Sequence, residues 1–504
     1  MNIVSLFDSN VRKYPDKPFI RFNRSSITYR ETQAMSHKAA AVLSAHGIKA
    51  GDSVAVMCYN TPGVLFAMLG AWRLNAVVAP VNHKMQAPEV DYVLGHSRAR
   101  VLVCDGALAP VIRKLTVPVT ALTTDSAADG LASFDAEIET AQPLEGVVPN
   151  ESDPAEILYT SGTTGKAKGC LHSHRTVCQT ALTTVATLSM TRDERTLIAM
   201  PIWHSSPLNN WMMGTMYVGG TVVLLREYQP QAFLQSVQDE KITLYFGAPV
   251  SFTMAMQNVP NFGDYDFSSI RSWIYGGGPI SSDVAERLAH AYKSDRFFQV
   301  YGMTETGPAG TTLYPEEQRA KAGSIGRIAN PGIDMRVVTA EGGDAAPGEI
   351  GEIWLKADSN MLGYLNDPVA TAEVLQDGWY KSGDLARLDD DGYLFLVDRA
   401  KDMIITGGEN VYSKEVEDAI AAHEAVQEVA VIGRPHPEWG ETVVAYIVAL
   451  PRSGLDADGL KRFLTERLAR YKIPRDYIFV ETLPRTPTGK VMKHVLRNQA
   501  MAAA

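Results

Sequence analysis

Short apolar runs alternate with amphipathic helical patterns between roughly residue 50 and residue 360 of the chain. The runs with the length and composition of buried strands are residues 53–57, 101–104, 196–200, 221–225, 242–246, 272–275 and 297–301. Helical patterns separate them; in residues 282–293, for example, Val284, Leu288 and Ala291 share one face. Such an alternation is typical of α/β layers around a largely parallel sheet, and we predict that fold class.

The chain has 504 residues, which exceeds the size at which a single hydrophobic core stops growing. The pattern changes near residue 398, where residues 397–402 are mostly charged. Beyond this segment we expect a helix capped by Ser413, strands over residues 428–432 and 443–448, and a helix over residues 458–469. We therefore predict a large N-terminal domain of layered sheets and helices over residues 1–398, a hinge over residues 399–402, and a small mobile α+β domain over residues 403–504.

The composition is that of an ordinary globular protein, with 45% hydrophobic and 21% charged residues. A net charge of −10 argues against a general binder of nucleic acid or membrane surfaces. The N-terminus lacks a signal-peptide pattern, and the apolar stretch at residues 64–72 is too short to span a bilayer. Four widely spaced cysteines predict reduced, buried thiols. We expect a cytoplasmic protein with no nucleic-acid partner and no stable membrane anchor; the sequence leaves a homodimer open.

The most informative local pattern is in residues 157–169, where a short apolar strand runs into a segment rich in glycine, hydroxyl residues and lysine. Glycine lets the backbone approach an anion closely, hydroxyl groups add donors, and lysine supplies positive charge. The segment differs from a Walker A loop because too few residues separate Gly162 from Gly165. It predicts a cradle for a polyphosphate, and the segment alone leaves a plain surface loop as the alternative.

Residues 159–169 resemble the signature loop of the adenylate-forming superfamily, which includes acyl-CoA synthetases, peptide-synthetase adenylation domains and firefly luciferase. Further motifs of that family follow in order along essentially the whole chain. The resemblance implies that the phosphates of ATP bind to Thr160, Ser161, Gly162, Thr163, Thr164, Gly165 and Lys166.

Two motifs in the middle of the chain resemble the acyl and adenine sites of this family. Residues 201–204 match the motif whose aromatic or histidine side chain lines the acyl site, which implies that role for Trp203 and His204. Residues 275–280 resemble the loop that borders adenine and the acyl chain. The implied contacts are those of Gly276 with the acyl group and of Gly277, Gly278 and Pro279 with the nucleotide.

Residues 301–306 match the most specific motif of the family. The resemblance implies that Tyr301 stacks on adenine, that Thr304 contacts the α-phosphate, and that Glu305 holds Mg²⁺. Gly302 and Met303 then lie at the nucleotide, and Gly302 also borders the acyl group.

The ribose and hinge positions of the family come next along the chain. Residues 382–385 resemble the motif that supplies a carboxylate to the ribose hydroxyls, which implies this role for Asp384. Arg399 matches the second ribose contact, and Lys401 matches the residue about which the small domain of the family rotates.

The C-terminal motifs resemble the parts of the family that serve catalysis and the thiol acceptor. Residues 484–490 end in Lys490, which matches the catalytic lysine of the family. Gly407, Gly408 and Glu409 would face coenzyme A, since their glycines leave a narrow path for pantetheine. Ser413 departs from the family pattern, in which proline is frequent, and this affects only the local loop shape.

These motifs together predict an ATP-dependent acyl-CoA ligase with ATP, Mg²⁺ and coenzyme A as its small molecules. The acid and ATP would give acyl-AMP and pyrophosphate, and CoA would then displace AMP. Lys490, Thr304 and Glu305 are the implied catalytic residues. The alternative is a standalone adenylation enzyme that loads a carrier protein, although residues 407–411 resemble the CoA-ligase form. A luciferase-like oxygenase is less common, and a non-catalytic nucleotide-binding protein would have lost Glu305 or Lys490.

The acid itself is less constrained by the sequence. Acetate-specific relatives carry tryptophan where this chain has Gly302, so we expect a small acid larger than acetate. Its pocket would be mostly apolar, with walls from Trp203, Met212, Met213 and Phe246. Residues 249–254 offer no arginine for a second carboxylate, which disfavours a dicarboxylate. A medium-chain fatty acid, as in fatty acid metabolism, remains open, as do aryl, branched and trimethylammonium-bearing acids.

Two pairs of polar residues have alternative interpretations. Asn209 and Asn210 could recognise a distal polar group of the acid, but we favour a helix-capping role. His172 and His174 could lie on one strand face as metal ligands, yet no third ligand is evident. The family commonly has histidine at the second of these positions, where it begins a helix.

Overall fold

The structure is a computed structural model that describes residues 1–160, 167–278, 280–400, 402–406, 409–437, 439–465, 467–485 and 491–502. The chain divides into two compact units. The large unit comprises Met1–Thr160, Lys168–Met335 and Leu355–Tyr380, and the small unit comprises Arg336–Trp354 and the described residues from Lys381 onward. The predicted boundary at residue 398 stays a prediction. In this division, residues 336–354 and 381–398, which precede that boundary, belong to the same unit as the C-terminal part of the chain.

The strands are, in chain order, β1 (Pro18–Phe22), β2 (Ser25–Thr28), β3 (Ser53–Met57), β4 (Val77–Pro80), β5 (Val101–Asp105), β6 (Thr120–Thr124), β7 (Ala132–Ser133), β8 (Pro154–Thr160), β9 (Lys168–Ser173), β10 (Arg195–Ile198), β11 (Thr221–Leu224), β12 (Leu244–Gly247), β13 (Ser272–Gly276), β14 (Phe297–Tyr301), β15 (Thr311–Leu313), β16 (Ile333–Val338), β17 (Ile350–Ala357), β18 (Gly363–Tyr364), β19 (Leu375–Gln376), β20 (Trp379–Leu388), β21 (Leu394–Arg399), β22 (Ile404–Thr406), β23 (Glu409–Val411), β24 (Val426–His436), β25 (Gly440–Ala449) and β26 (Asp476–Phe479).

The α-helices are α1 (Ile3–Lys13), α2 (Tyr29–Ala45), α3 (Pro62–Arg73), α4 (Ala87–Ser97), α5 (Ala109–Ile112), α6 (Phe134–Thr140), α7 (His174–Leu188), α8 (Met213–Val218), α9 (Pro230–Asp239), α10 (Pro249–Asn258), α11 (Ser282–Ala291), α12 (Gln318–Lys321), α13 (Pro368–Val374), α14 (Ser413–Ala421), α15 (Ala457–Thr465) and α16 (Lys493–Ala502). In the part of the chain that the structure describes, no helix combines the length and the apolar character needed to cross a bilayer.

Two sheets form the framework of the large unit. The first has the strand order β15-β14-β13-β12-β10-β11-β1-β2 and the second the order β18-β9-β8-β4-β3-β5-β6-β7. Strands β14 to β1 of the first sheet pair in parallel, and β15 and β2 are antiparallel at its edges. The second sheet is likewise parallel from β8 to β7. The predicted α/β class is confirmed, and each strand predicted in this unit overlaps an observed one.

The main core of the large unit joins helices to both sheets. Helix α3 is buried along nearly its whole length, because its residues are apolar on every face. It begins with Pro62 after Thr61, where a proline costs no intrahelical hydrogen bond. Trp72 on this helix is 1% exposed and its indole N–H donates to the Ala155 carbonyl at 2.8 Å. Since Ala155 belongs to β8, the core fixes the strand that leads to the predicted phosphate loop.

The small unit has its own antiparallel sheet and core. Strands β24 and β25 pair from Val426 with Ala449 to His436 with Gly440, and β26 adds in parallel to β25. Helices α14 and α15 share one apolar cluster with this sheet, while Leu496 of α16 joins a second cluster. The predicted small α+β domain is therefore confirmed as a fold.

The predicted cap of helix α14 is wrong. Tyr412 occupies the N-cap position, Ser413 is already the first helical residue, and the cap makes no side-chain hydrogen bond. The carboxylate of Asp398 instead accepts hydrogen bonds from the backbone N–H groups of Ser413 and Lys414. A negative charge at a helix N-terminus satisfies free N–H groups and is favoured by the helix dipole, so a carboxylate distant in sequence replaces the local hydroxyl.

Candidate active site

Strands β8 and β9 hold the two ends of the predicted phosphate loop. Thr160 pairs with Lys168 and Tyr159 with Gly169 in an antiparallel hairpin. A Cβ at Gly169 would lie 2.8 Å from Cγ2 of Ile157 and 3.3 Å from the ring of Tyr159, so the close packing of this hairpin requires glycine. Residues 161–166 lie outside the described residues, and the phosphate contacts assigned to them, as well as that of Thr160, stay predictions.

Thr304 connects three segments that are far apart in sequence. Its hydroxyl lies 3.0 Å from the hydroxyl of Ser205, which directly follows the acyl-site motif. Its carbonyl accepts a hydrogen bond of 2.8 Å from Nε2 of His172. His172 is fully buried, and this burial lowers its pKa to about 4. A neutral imidazole therefore fixes the backbone of the nucleotide motif, and His174 begins helix α7 as the resemblance implied.

Tyr364 positions the carboxylate of Glu305. The tyrosine hydroxyl donates to Oε1 of Glu305 at 3.0 Å, and the backbone carbonyl of Glu305 accepts from the N–H of Met361 at 2.8 Å. Burial, and then the charge of Glu305, raises the pKa of Tyr364 well above its ordinary value. The ammonium of Lys168 lies 4.7 Å from the Tyr364 ring centroid. The Tyr364 hydroxyl thus remains protonated and donates its hydrogen bond. Glu305 is half-buried, so its carboxylate could bind a cation that prefers oxygen ligands, such as Mg²⁺.

Two glycines of the site are needed for close approach of the backbone. A Cβ at Gly302 would lie 2.7 Å from the backbone of Pro308, and one at Gly276 would lie 3.0 Å from Cγ2 of Val300. Gly302 is exposed and follows the half-buried Tyr301 at the end of β14. Glycine at residue 302 is therefore required by the turn itself, whether or not it also deepens an acyl pocket.

The acyl-site motif follows β10 and is held by one buried asparagine. The Asn60 side-chain oxygen accepts from the N–H of Ile202 at 3.0 Å, and its amide donates to the Met200 carbonyl at 3.0 Å. Beyond this anchor the rings of Trp203 and His204 have centroids 3.8 Å apart and planes tilted by 32°. Both side chains are half-buried, so the motif presents an aromatic surface at a fixed place.

The predicted capping role of Asn209 and Asn210 is wrong. Both lie inside a π-helical turn, Ser206–Met212, and both are buried. The amide of Asn209 donates to Oε1 of the fully buried Glu156 at 2.5 Å, and that of Asn210 donates to the Thr184 hydroxyl at 3.0 Å. A π-helical turn carries one extra residue, which directs these amides into the interior, where they form cross-links between elements.

The predicted pocket walls also need one correction. Met212 and Met213 are 3% and 1% exposed and pack in the main core with residues such as Leu65 and Met68. They therefore offer no surface to an acyl group. Phe246 is partly buried and stacks on Trp211 with ring centroids 5.0 Å apart.

The two residues predicted to bind ribose form an ion pair in the small unit. Nε of Arg399 lies 2.6 Å from Oδ1 of Asp384, and the two residues face each other across β20 and β21. The backbone N–H of Asp384 donates to the Ser382 hydroxyl at 3.0 Å. Glu409 begins β23 and is exposed. Pro279, Lys401, Gly407, Gly408 and Lys490 lie outside the described residues, and their roles stay predictions.

Comparison with known proteins decides the family. Residues 7–365 match the model of the AMP-binding enzyme family, and residues 415–490 match the AMP-binding enzyme C-terminal domain. The chain belongs to the AMP-binding enzyme family. Within it, the chain is an adenylate-forming enzyme of the acyl-CoA ligase branch.

Several relatives of this AMP-binding enzyme match it from end to end. A feruloyl-CoA synthase from an Amycolatopsis species is 36% identical over 490 residues, which cover 97% of each chain. An indoleacetate–CoA ligase from Aromatoleum aromaticum is 34% identical over 505 residues, covering 99% of this chain and 98% of that protein. The crystal structure of ATP-bound MatB from Rhodopseudomonas palustris is 32% identical, with a TM-score of 0.87 over 99% of both chains.

Some residues that shape the site of this AMP-binding enzyme had no signal in the sequence. Asn60 and Tyr364 contact motifs that are 142 and 59 residues away, and such pairings become visible only in the fold. Ser205 directly follows a recognised motif, so its place beside Thr304 could have been anticipated. The sequence pattern suggests His172 only as a metal ligand, whereas in the fold its Nε2 donates to the Thr304 carbonyl. Among the described residues, no three histidine, cysteine, aspartate or glutamate side chains come together as a metal cluster.

Proposed function

We propose that this enzyme activates a carboxylic acid larger than acetate, with flat aromatic acids as the preferred class, and transfers the acyl group to coenzyme A. The observation that carries the proposal is the hydrogen bond of 3.0 Å between Ser205 and Thr304. It joins the segment of Trp203 and His204 to the motif assigned to the α-phosphate. Adenylation needs the acid next to the α-phosphorus, because most of the catalysis comes from positioning and charge neutralisation.

In the first half-reaction an oxygen of the carboxylate attacks the α-phosphorus, and the bond to the bridging oxygen of pyrophosphate breaks. If the Ser205 hydroxyl donates to Thr304, the Thr304 hydroxyl keeps its own hydrogen for an α-phosphate oxygen. Two segments that lie far apart in sequence then act as one donor site. Lys490 would neutralise the transition state by virtue of its position in the family motif.

The carboxylate oxygens of Glu305 are suitable ligands for a magnesium ion that also binds the substrate phosphates. Mg²⁺ is usually bound through one or two carboxylates plus phosphate oxygens and waters, and Glu305 supplies one carboxylate. Its Oε1 is oriented by the Tyr364 hydroxyl at 3.0 Å. When bound, the cation would neutralise charge on the phosphates, and Tyr364 would keep the carboxylate turned toward it.

In the second half-reaction the thiolate of CoA attacks the acyl carbonyl carbon of acyl-AMP. The C–O bond to AMP breaks, AMP leaves with the electron pair, and the thiol proton passes to solvent. Gly407, Gly408 and Glu409 would line the pantetheine path, and Lys401 would be the hinge between the two half-reactions. The carrier-protein acceptor is the competing possibility, since it offers the same pantetheine thiol.

The acyl class follows from the aromatic surface of Trp203 and His204, whose ring centroids are 3.8 Å apart. A flat acyl group can stack against such a surface, and aromatic pairs gain about 0.5–1.5 kcal/mol beyond the area they bury. Two relatives are named for feruloyl and indoleacetate groups, both of which contain flat aromatic rings. An acid of this size is also consistent with glycine rather than tryptophan at residue 302.

The test is a panel of acids assayed for CoA-dependent pyrophosphate release, with acetate, nonanoate, trans-cinnamate and a malonate control. We expect acyl-CoA from trans-cinnamate at the highest kcat/KM. Thr304→Val, which removes the hydroxyl and preserves shape, should lower the rate by about 10²-fold, while Thr304→Ser should retain most of it.

Each competing outcome identifies a different error. If acyl-AMP accumulates and its acyl group passes only to a carrier protein, the acceptor is that protein and not CoA. A preference for acetate or malonate would contradict the acyl class alone. An unchanged rate in Thr304→Val would contradict the role assigned to the Ser205–Thr304 pair.

A further inference from the structure

A buried histidine outside every recognised motif contacts the aromatic surface of the acyl segment. His83 lies in the loop after β4, and its side chain is 4% exposed. Its Nδ1 accepts a hydrogen bond of 3.2 Å from the indole Nε1–H of Trp203. The two rings meet edge-on, with centroids 6.3 Å apart and planes at 76°. The only polar atom of the Trp203 side chain is thus bound to His83.

The surroundings of His83 fix its tautomer. Burial, and then the positive charges of Lys84 and Arg226, lower its pKa to about 4, so the ring is neutral near pH 7. A neutral imidazole that accepts at Nδ1 carries its hydrogen on Nε2. Nε2 lies 3.9 Å from the carboxylate of Glu227, which favours a hydrogen at that position. The acceptor required by Trp203 is therefore the stable form of this histidine.

A second aromatic ring and an ion pair with one fully buried partner hold His83 in place. The ring of Tyr59 lies 4.5 Å from that of His83, centroid to centroid. The guanidinium of Arg226 sits 4.3 Å from the Tyr59 ring centroid and pairs with the fully buried Asp105 at 2.7 Å. Since Asp105 ends β5, the chain of contacts runs from the second sheet to Trp203.

We propose that His83 is a positioning residue that fixes the orientation of Trp203 and thereby sets the preference for flat aromatic acids over flexible chains. The inference rests on the proposed function in one respect, that Trp203 faces the acyl group. A tryptophan whose N–H is bound keeps one ring orientation, which a flat substrate can stack against. A flexible acyl chain should lose less contact with Trp203 when that orientation is lost, because the chain can change its own conformation to fit the new ring position.

The test compares two substitutions of His83 in the full-length enzyme. His83→Leu removes the acceptor and keeps an apolar volume, whereas His83→Asn places an amide oxygen near the position of Nδ1. The measurements are kcat/KM for trans-cinnamate and for nonanoate, which have the same number of carbons, and the KM for ATP. We expect His83→Leu to lower the cinnamate-to-nonanoate ratio by about tenfold and to leave the KM for ATP unchanged. His83→Asn should keep the ratio within about threefold of the wild-type value.

A double-mutant cycle separates positioning from a general structural role. Trp203→Phe keeps an aromatic ring but lacks the N–H, so His83→Leu should have no additional effect on the ratio in that background. Equal losses with both acids, a raised KM for ATP, or additive effects in the cycle would each overturn the inference. A wild-type preference for nonanoate would overturn it as well. A wild-type enzyme that forms no acyl-CoA from any acid would instead overturn the proposed function and, with it, this inference.

Discussion

Nε of Arg399 lies 2.6 Å from Oδ1 of Asp384, on the neighbouring antiparallel strand. Both residues were predicted to bind the ribose of ATP, and the structure joins them directly. The side chain of Asp384 is only 11% exposed, whereas that of Arg399 is 42% exposed. The arginine therefore compensates the charge of a largely buried carboxylate and fixes its orientation before any nucleotide binds.

The first prediction concerns this pair. Asp384→Asn keeps the shape of the side chain but removes the charge that Arg399 and two ribose hydroxyls would share. Hydrogen bonds to a charged group contribute about 1.5–3 kcal/mol, so the KM for ATP should rise by about tenfold or more while the KM for the acid changes little. Asp344→Asn is the matched control, because Asp344 forms an exposed ion pair with Arg336 in the same unit. Equal increases in both KM values would argue against ribose recognition by Asp384.

The second prediction concerns Tyr364, which acts through Glu305. Tyr364→Phe removes the hydroxyl that donates to Oε1 at 3.0 Å and keeps the ring. The carboxylate then loses a partner that orients it, so the Mg²⁺ concentration for half-maximal pyrophosphate exchange should rise by about fivefold. Glu305→Gln should raise it further. Tyr477→Phe is the control, since the buried hydroxyl of Tyr477 has no hydrogen-bond partner among the described residues. If the Mg²⁺ dependence were unchanged in both Tyr364→Phe and Glu305→Gln, Glu305 would not be the metal ligand.

The sequence was sufficient for the features that depend on local patterns. Strands β3 and β14 have the bounds that their short apolar runs predict, and His174 begins a helix as the motif implies. The short apolar strand that the sequence predicts ahead of the phosphate loop is β8, which ends at Thr160. Such features follow from side-chain periodicity and from backbone requirements within a few residues.

The sequence was insufficient where the partner of a polar group lies far along the chain. Ser413 looked like a helix cap, but Asp398, 15 residues earlier, supplies the acceptor. Asn209 looked like a cap as well, and its partner Glu156 is 53 residues away. Met212 was predicted as a pocket wall and lies in the core instead. An apolar residue type alone does not indicate whether the side chain faces the core or a ligand pocket. Tertiary contacts decide such cases, and local propensity does not.

The third prediction concerns the buried Glu156. Burial raises its pKa to about 7, against 4.5 in an unfolded chain, and the hydrogen bond from Asn209 partly opposes this. Between these two pH values the folded protein keeps a proton that the unfolded chain releases. The free energy of unfolding therefore falls as pH rises through this window and levels off above about 7. Glu156→Gln cannot ionise, so its stability relative to the wild type should grow by up to about 3 kcal/mol from pH 4.5 to pH 8.

Denaturant unfolding of both proteins at these pH values measures the difference. His172 and His174, whose burial lowers each pKa to about 4, give the opposite slope below 6.5, but they are present in both proteins and cancel in the comparison. Glu139→Gln, at an exposed position, is the control and should show no pH-dependent gain. A stability difference that does not change with pH would mean that Glu156 is ionised in the folded state.

The fourth prediction distinguishes two lysines that are three residues apart near the C-terminus. Lys490, assigned from its motif, should act only while adenylation takes place. Lys490→Ala should slow carboxylate-dependent exchange of pyrophosphate into ATP by about 10²-fold or more, because it removes charge stabilisation of the transition state. Attack of CoA on supplied acyl-adenylate should change by no more than about threefold in the same variant.

Lys493 provides the contrast, since its place in the fold is structural. Its ammonium lies 2.8 Å from Oε1 of Glu417 and 2.5 Å from the hydroxyl of Ser413. Burial raises the pKa of Glu417, and the charge of Lys493 opposes that shift. Lys493→Ala leaves this carboxylate without its cation, so the Tm of the protein should fall, and any loss of rate should be equal in the two half-reactions. The two alanine variants should therefore differ in opposite ways. Lys490→Ala should slow only the first half-reaction and leave Tm unchanged, whereas Lys493→Ala should lower Tm and affect both half-reaction rates equally. If Lys490→Ala slowed both half-reactions equally, a single fixed active site would serve both steps, and rotation about Lys401 would have no role in this enzyme.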